Sequence, residues 1–174
     1  MIELEKATPE QFEAVVAFYD EVMEKTPGID RLAQWKKGAH PTDDGILDLI
    51  RKGDLYLYQE GETIVGAMAF PMFQGPDYHA VVWDEQLPDD QVATIHLFAV
   101  HPDRQGAGIG SAMIRAAIAL AYANGMKSVR LDVLKSNEPA QRLYESLGFE
   151  YRGMQNLYAE NTGWIDFYFY EYKG

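Results

Sequence analysis

Leu97-Phe98-Ala99-Val100-His101-Pro102-Asp103-Arg104-Gln105-Gly106-Ala107-Gly108-Ile109-Gly110-Ser111 joins an apolar run to a glycine-rich turn and then to the start of a helical pattern. The run from Val92 to Val100 predicts a buried strand. Ser111 to Asn124, rich in Ala, Ile and Met, predicts a helix buried on most sides and ended by Gly125. Glycines in the turn let the backbone approach a ligand closely, and the first amides of a helix have no partner inside it. The turn therefore presents N–H donors at the positive end of a helix dipole. Its natural guest is an anion, a pyrophosphate above all.

Outward from this stretch the chain alternates helix and strand signals. Glu10 to Lys25 carries Phe12, Val15, Val16, Tyr19, Val22 and Met23 on one helix face, with Thr8 and Pro9 at its start. A short helix is expected after Pro41-Thr42-Asp43, with Ile46, Leu49 and Ile50 inward and Gly53 at its end. Leu55 to Gln59 and Thr63 to Phe70 read as a hairpin around Glu60-Gly61-Glu62. Pro71 to Asp90 is a connector too long to leave without a purpose, and reads as a functional loop. Downstream, Ser128 to Leu134 predicts a strand, Pro139 to Leu147 a helix, Gly148-Phe149 the entry to a short strand, and Trp164 to Tyr172 an alternating aromatic strand that is mostly core. No internal repeat or domain boundary interrupts this order, so the expectation is one α/β domain over residues 1–174.

Composition removes several classes. The 174 residues hold no cysteine, which excludes disulfides, Cys-ligated zinc and a thiol nucleophile. The net charge of -12 has the wrong sign for tracking a phosphate backbone, but it favours cationic small molecules or basic peptides. Nucleic acid is therefore not an expected partner. The first residues, Met1-Ile2-Glu3-Leu4-Glu5, carry neither a basic leader nor a long apolar run, so no membrane association and a cytoplasmic location are expected. His40 and His79 lack spaced partners, and no metal site is expected.

The glycine turn lacks the lysine of a nucleotide P-loop, since Ile109 and Ser111 follow Gly108 and Gly110. A dinucleotide fingerprint would need Gly or Ala where Ser111 or Met113 stands, although Asp132 falls where a ribose-binding acid would. Nucleotide binding stays open as an alternative on that residue. Gln105-Gly106-Ala107-Gly108-Ile109-Gly110 instead resembles the acetyl-CoA loop of the GNAT superfamily of N-acetyltransferases, Q/R-x-x-G-x-G/A. The resemblance extends through Val100-His101-Pro102, and through Asn137-Glu138-Pro139-Ala140 to Leu143-Tyr144-Glu145-Ser146-Leu147-Gly148-Phe149. It covers about a third of the chain and leaves residues 71–90 and 154–163 unassigned.

The resemblance implies a central mixed, mostly antiparallel sheet flanked by helices, and acetyl transfer from acetyl-CoA to an amine. With no cysteine to carry the acetyl group, direct attack in a ternary complex is expected. The resemblance also implies that the backbone of Phe98, Ala99 and Val100 pairs with the pantetheine arm like an added strand. Gln105, Gly106, Ala107, Gly108, Ile109, Gly110 and Ser111 take the pyrophosphate, and Asn137 bonds the pantetheine, or else simply caps the helix at Pro139. Tyr144 stands where the family places a general acid, unless it is only a packed helix aromatic. His96 has the intrinsic pKa for a base, but its strand position leaves open whether it faces cleft or core. Tyr158, Trp164, Glu160 and Asp166 are candidates to border an amine pocket. A non-catalytic acyl-CoA sensor is the other reading of the same site, and a homodimer is left open.

Overall fold

Seven strands form one sheet among residues 2–172, the part of the chain that the computed structural model describes. They are β1 (Glu5–Lys6), β2 (Leu55–Glu60), β3 (Thr63–Ala69), β4 (Val92–Val100), β5 (Ser128–Leu134), β6 (Phe149–Ala159) and β7 (Gly163–Tyr172), in the spatial order β1-β2-β3-β4-β5-β7-β6. The β4 and β5 strands run parallel from Val92↔Ser128 to Ile95↔Leu131, and every other neighbouring pair is antiparallel. A parallel pair needs a crossover, which the helix α4 (Ile109–Ala123) supplies. The mixed, mostly antiparallel sheet that the resemblance implied is thus present.

Two layers cover this sheet. On one face α4 and α5 (Glu138–Ser146) pack over Ile95, Val129, Leu131 and Val133. On the other, α1 (Phe12–Lys25) and α3 (Asp43–Lys52) pack Val15, Tyr19, Val22, Ile46 and Ile50 against Leu55, Leu57, Ala67 and Ala99. The short helix α2 (Ile29–Leu32) lies in the chain between them. Helix α3 starts and stops as its sequence predicts: the Thr42 hydroxyl accepts from Gly45 N at 3.1 Å, and Gly53 ends it at φ 72°. No described helix is long and apolar enough to cross a membrane.

The connector after β3 does the work of a further helix. Its Tyr78, Val81 and Trp83 are buried against Phe169 of β7, covering the part of the sheet that α1 and α3 leave open. Fully buried Arg130 holds it there: Nε donates to Glu171 (2.9 Å), Nη1 to Gln74 (2.9 Å) and Nη2 to the Glu85 carbonyl (2.8 Å). The Arg130 Cζ also lies 4.2 Å from the Trp83 ring centroid.

Two strand expectations change. The short strand expected after Gly148 is the 11-residue β6, because the stretch left unassigned from Met154 pairs with β7 as far as Ala159↔Gly163. Its sequence hides this, since one face of the hairpin is exposed and a bulge between Tyr151 and Gly153 breaks the alternation. The terminal strand is core at Phe169, Tyr170 and Glu171, whereas Trp164 is 70% exposed.

The decisive irregularity lies in β4. Ala67 pairs with Ala99 but Ala69 with His96, so β4 carries one extra residue. Leu97 absorbs it at φ 50°, and the Tyr19 hydroxyl donates to the Leu97 carbonyl at 2.7 Å. Burial pushes the Tyr19 phenol well above its usual range, which keeps the donor proton in place. Pairing of β4 with β5 ends at Ile95↔Leu131, and the two strands splay apart beyond it.

Candidate active site

The splay opens two cavities that meet at Trp35, Phe98, Asn137 and Ala140. The first, of about 520 Å3, lies between α1, α2 and α5. Phe98, Ala99, Val100, Gln105, Gly106, Gly108, Gly110, Ser111 and Asn137 line it, whereas Ala107 and Ile109 do not; Ile109 packs into the core under α4. Gly108 is the N-cap of α4 at φ 82°, and the first bond into the helix runs from Ala112 N to the Gly108 carbonyl. The amides of Ile109, Gly110 and Ser111 therefore have no partner within the helix. A Cβ on Gly106 or Gly108 would meet nothing within 4 Å, so the backbone there is open to a ligand. These features fit a pyrophosphate.

Asn137 takes the capping role that its sequence position left open, and it also stands at the junction of the two cavities. Its side chain caps α5 by accepting from Ala140 N at 3.4 Å, and the residue lines both cavities. The Val100 carbonyl already accepts from Gln105 Nε2 at 3.2 Å, so Gln105 closes the loop onto the strand end. Two lining residues are invisible in the motif. Arg104 borders the cavity while paired with Glu60, and Thr26 contributes a buried Oγ1 with no hydrogen-bond partner among the described residues.

The second cavity, of about 470 Å3, brings His96 and Tyr144 to one place. Asp132 joins them: its Oδ1 accepts from the Tyr78 hydroxyl at 2.5 Å and lies 3.5 Å from His96 Nδ1. The Thr94 hydroxyl donates to the Phe73 carbonyl (2.9 Å), which leaves its oxygen to accept from His96 Nε2 (3.0 Å). This network assigns the neutral imidazole its proton at Nε2 and turns the Nδ1 lone pair toward Asp132. Tyr144 is 6% exposed, and burial followed by the charge of Asp132 pushes its phenol far above the usual range. His40, which has no spaced partner in the sequence, also lines this cavity, where burial lowers its pKa and keeps it neutral at pH 7.

The connector also carries four acidic residues, Asp84, Glu85, Asp89 and Asp90, and none of them lines either cavity. Asp89 bonds Gln74 and His79, and the Asp84 amide bonds Glu171. Tyr158 and Trp164 lie against each other at the tip of the β6–β7 hairpin, 5.7 Å between centroids and tilted by 58°, and neither lines the cavities; Asp166 is bonded to Asn156. Ala159, Asn161, Thr162 and Phe167 face the second cavity instead. Strand alternation puts Ala159 and Phe167 opposite the face that the aromatic pair occupies, and Asn161 and Thr162 reach the cavity from the turn between β6 and β7.

Residues 14–149 match the model of the acetyltransferase (GNAT) family. The chain belongs to the GNAT family. An uncharacterised N-acetyltransferase of Methanocaldococcus jannaschii is 41% identical over 68 residues, which are 39% of this chain and 30% of that protein. The match thus spans under a third of that relative's length. A GNAT acetyltransferase structure from Streptococcus agalactiae superposes with a TM-score of 0.76 at 18% identity, covering 99% of this chain and 95% of that one. Another, yncA from Salmonella typhimurium with its cofactor acetyl-CoA, gives 0.69 at 18% identity, over 99% and 94%. The sheet and splay seen here thus belong to a GNAT fold.

Gly108→Trp tests the first cavity of this GNAT chain. The indole would fill the space beside free amides at a residue whose φ already disfavours a side chain. CoA affinity is expected to fall by at least about tenfold, read by calorimetry, while Gly108→Ala shows only the backbone effect of about 1 kcal/mol on stability. Unchanged CoA affinity in Gly108→Trp would remove the cradle from this loop.

Proposed function

We propose that this chain transfers the acetyl group of acetyl-CoA to a primary amine by direct attack in a ternary complex. The observation that carries the reading is the meeting of the glycine-lined cavity with the one holding His96, Asp132 and Tyr144, at the splay beyond Ile95. Acetyl-CoA supplies an activated acyl group as a thioester. The free amides of Ile109, Gly110 and Ser111 bind its pyrophosphate, and β4 beyond the bulge offers a strand edge to the pantetheine.

An amine arrives as ammonium, and releasing its proton at pH 7 costs about 4 to 5 kcal/mol at an unperturbed pKa of about 10.4. Asp132 attracts the ammonium, and His96 Nδ1 is the lone pair beside it that takes the proton. The resulting imidazolium is stabilised by the same carboxylate. As the new C–N bond forms and the C–S bond breaks, the Tyr144 hydroxyl donates to the departing sulfur. Burial keeps that hydroxyl protonated, and a thiolate released into the same largely apolar cavity is destabilised too, so the donor remains matched to its task. Overall the nitrogen gives up two protons, one through His96 to water and one that replaces the proton Tyr144 has given to the thiol.

Initial rates with both substrates varied test the order of events. Intersecting lines are expected, and a parallel-line pattern would overturn direct attack. Tight CoA binding without thiol release across polyamines, amino acids, aminoglycosides and peptides would favour the sensor reading. A nucleotide site would show in thermal shift. CoA at 100 times its Kd is expected to stabilise by about 2.7 kcal/mol, with no response to NAD or ATP.

A further inference from the structure

The second cavity contains one carboxylate, and no cation opposes it while His96 is in the neutral form that serves as base. Its polar lining consists of His40, His96, Asp132, Tyr144 and the hairpin residues Asn161 and Thr162, with Asn137 at the junction; no Lys or Arg lines it among the described residues. The rest is apolar, including Trp35, Leu49, Pro71 and Phe167. Arg130, two residues before Asp132 on the same strand, presents no charge to this space, because it is fully buried and its guanidinium is spent on Glu171, Gln74 and the Glu85 carbonyl. His40 is held neutral by burial.

Resting on the acetyl-transfer reading, we propose that this site accepts primary amines whose neighbouring carbon bears no charge and rejects free α-amino acids. An ammonium held at Asp132 places an α-carboxylate within roughly 5 Å of the Asp132 carboxylate, at a distance where like charges repel strongly even at an effective dielectric of about 20. No Lys or Arg of the lining answers that second negative charge, and an unpaired carboxylate in a largely apolar cavity carries its desolvation cost as well. An amide, ester or hydrogen in its place meets neither penalty.

Matched pairs test this: tyramine against tyrosine, 2-phenylethylamine against phenylalanine, leucinamide against leucine. Thiol release from acetyl-CoA is expected to give each neutral-bodied amine a kcat/KM at least about 100-fold above its amino acid. In Asp132→Asn both rates fall, but their ratio is expected to shrink to about tenfold or less, which a size filter would not produce. Equal or better turnover of the amino acids would overturn the proposal. Binding read separately, as the shift in Tm that each compound gives the CoA-loaded protein, carries the same comparison without turnover. Selective binding of the amines with no thiol release supports the site's selectivity and removes the transfer reading alone. Equal binding of amines and amino acids overturns the selectivity, whatever the turnover.

Discussion

Tyr144→Phe is expected to lower kcat by about 10- to 1,000-fold while leaving CoA affinity and folding nearly unchanged. The substitution removes one oxygen and keeps the ring, which packs 5.6 Å from Phe149 and 6.5 Å from Phe98 between centroids. The Tyr144 hydroxyl makes no hydrogen bond to any other of the described residues, so its loss leaves no stranded protein partner. The effect belongs to a step in which charge develops on sulfur, hence to kcat rather than to binding. Steady-state kinetics with calorimetric CoA titration separate the two. If the variant unfolds while activity per folded molecule is unchanged, Tyr144 is a packing residue and the donor role is withdrawn.

Arg130→Ala carries the largest expected loss of stability, about 3 to 5 kcal/mol. Glu171 is 4% exposed and would keep Arg152 (3.2 Å), Ser128 (3.2 Å) and the Asp84 amide (3.2 Å), but it would lose its shortest partner. Gln74 and the Glu85 carbonyl would lose their donor, and Trp83 the cation stacked on it. At roughly 2 to 4 °C per kcal/mol for a chain of this size, Tm is expected to fall by on the order of 10 °C. Trp83 fluorescence should report release of the connector before global unfolding, because the bonds from Arg130 to Gln74 and Glu85 tie that segment to β5. Arg130→Lys keeps a charge without the planar fork and should lie between. A Tm within about 2 °C of the parent would show that the connector is held by its apolar packing alone.

The strand, turn and helix from Leu97 to Ser111 are legible in the sequence because each part is local: apolar alternation, glycines and an uncapped helix start are properties of neighbours along the chain. The same holds for Thr42 and Gly53 around α3. Asn137 is legible twice over, as a cap and as a cavity residue. Asp132 carries in its sequence only the signal of a remote ribose acid, and Arg130 carries none. Their partners Tyr78, Gln74 and Glu85 lie 45 to 56 residues away, in a connector whose own sequence has no period. His40 and Trp35 are hidden in the same way, since they reach the second cavity from the segment between two helices, where neither spacing nor propensity signals a site. The β6–β7 hairpin misleads differently. Its exposed aromatics carry the sequence signal of a binding face, while the less conspicuous Ala159, Asn161 and Thr162 line the cavity.

The extra residue in β4 separates what folds the chain from what opens it. Ile95 before the bulge and Phe98 and Val100 after it pack toward α4 and α5, while His96, Leu97 and Ala99 lie toward the other layer. A strand shortened by Leu97 alone would have the same inside-outside parity: Ile95, Phe98 and Val100 on one side, His96 and Ala99 on the other. The rest of both hydrophobic layers would keep its place, and only the partly buried Leu97 side chain would be missing from the α1 layer. The losses would be the Tyr19 bond and the left-handed residue that turns β4 away from β5, and a regular strand has no reason to leave its neighbour. Leu97 is thus a wedge that the fold tolerates at about 1 kcal/mol of backbone strain. Shape here is written in the pattern of nine residues, and vacancy in the count of one.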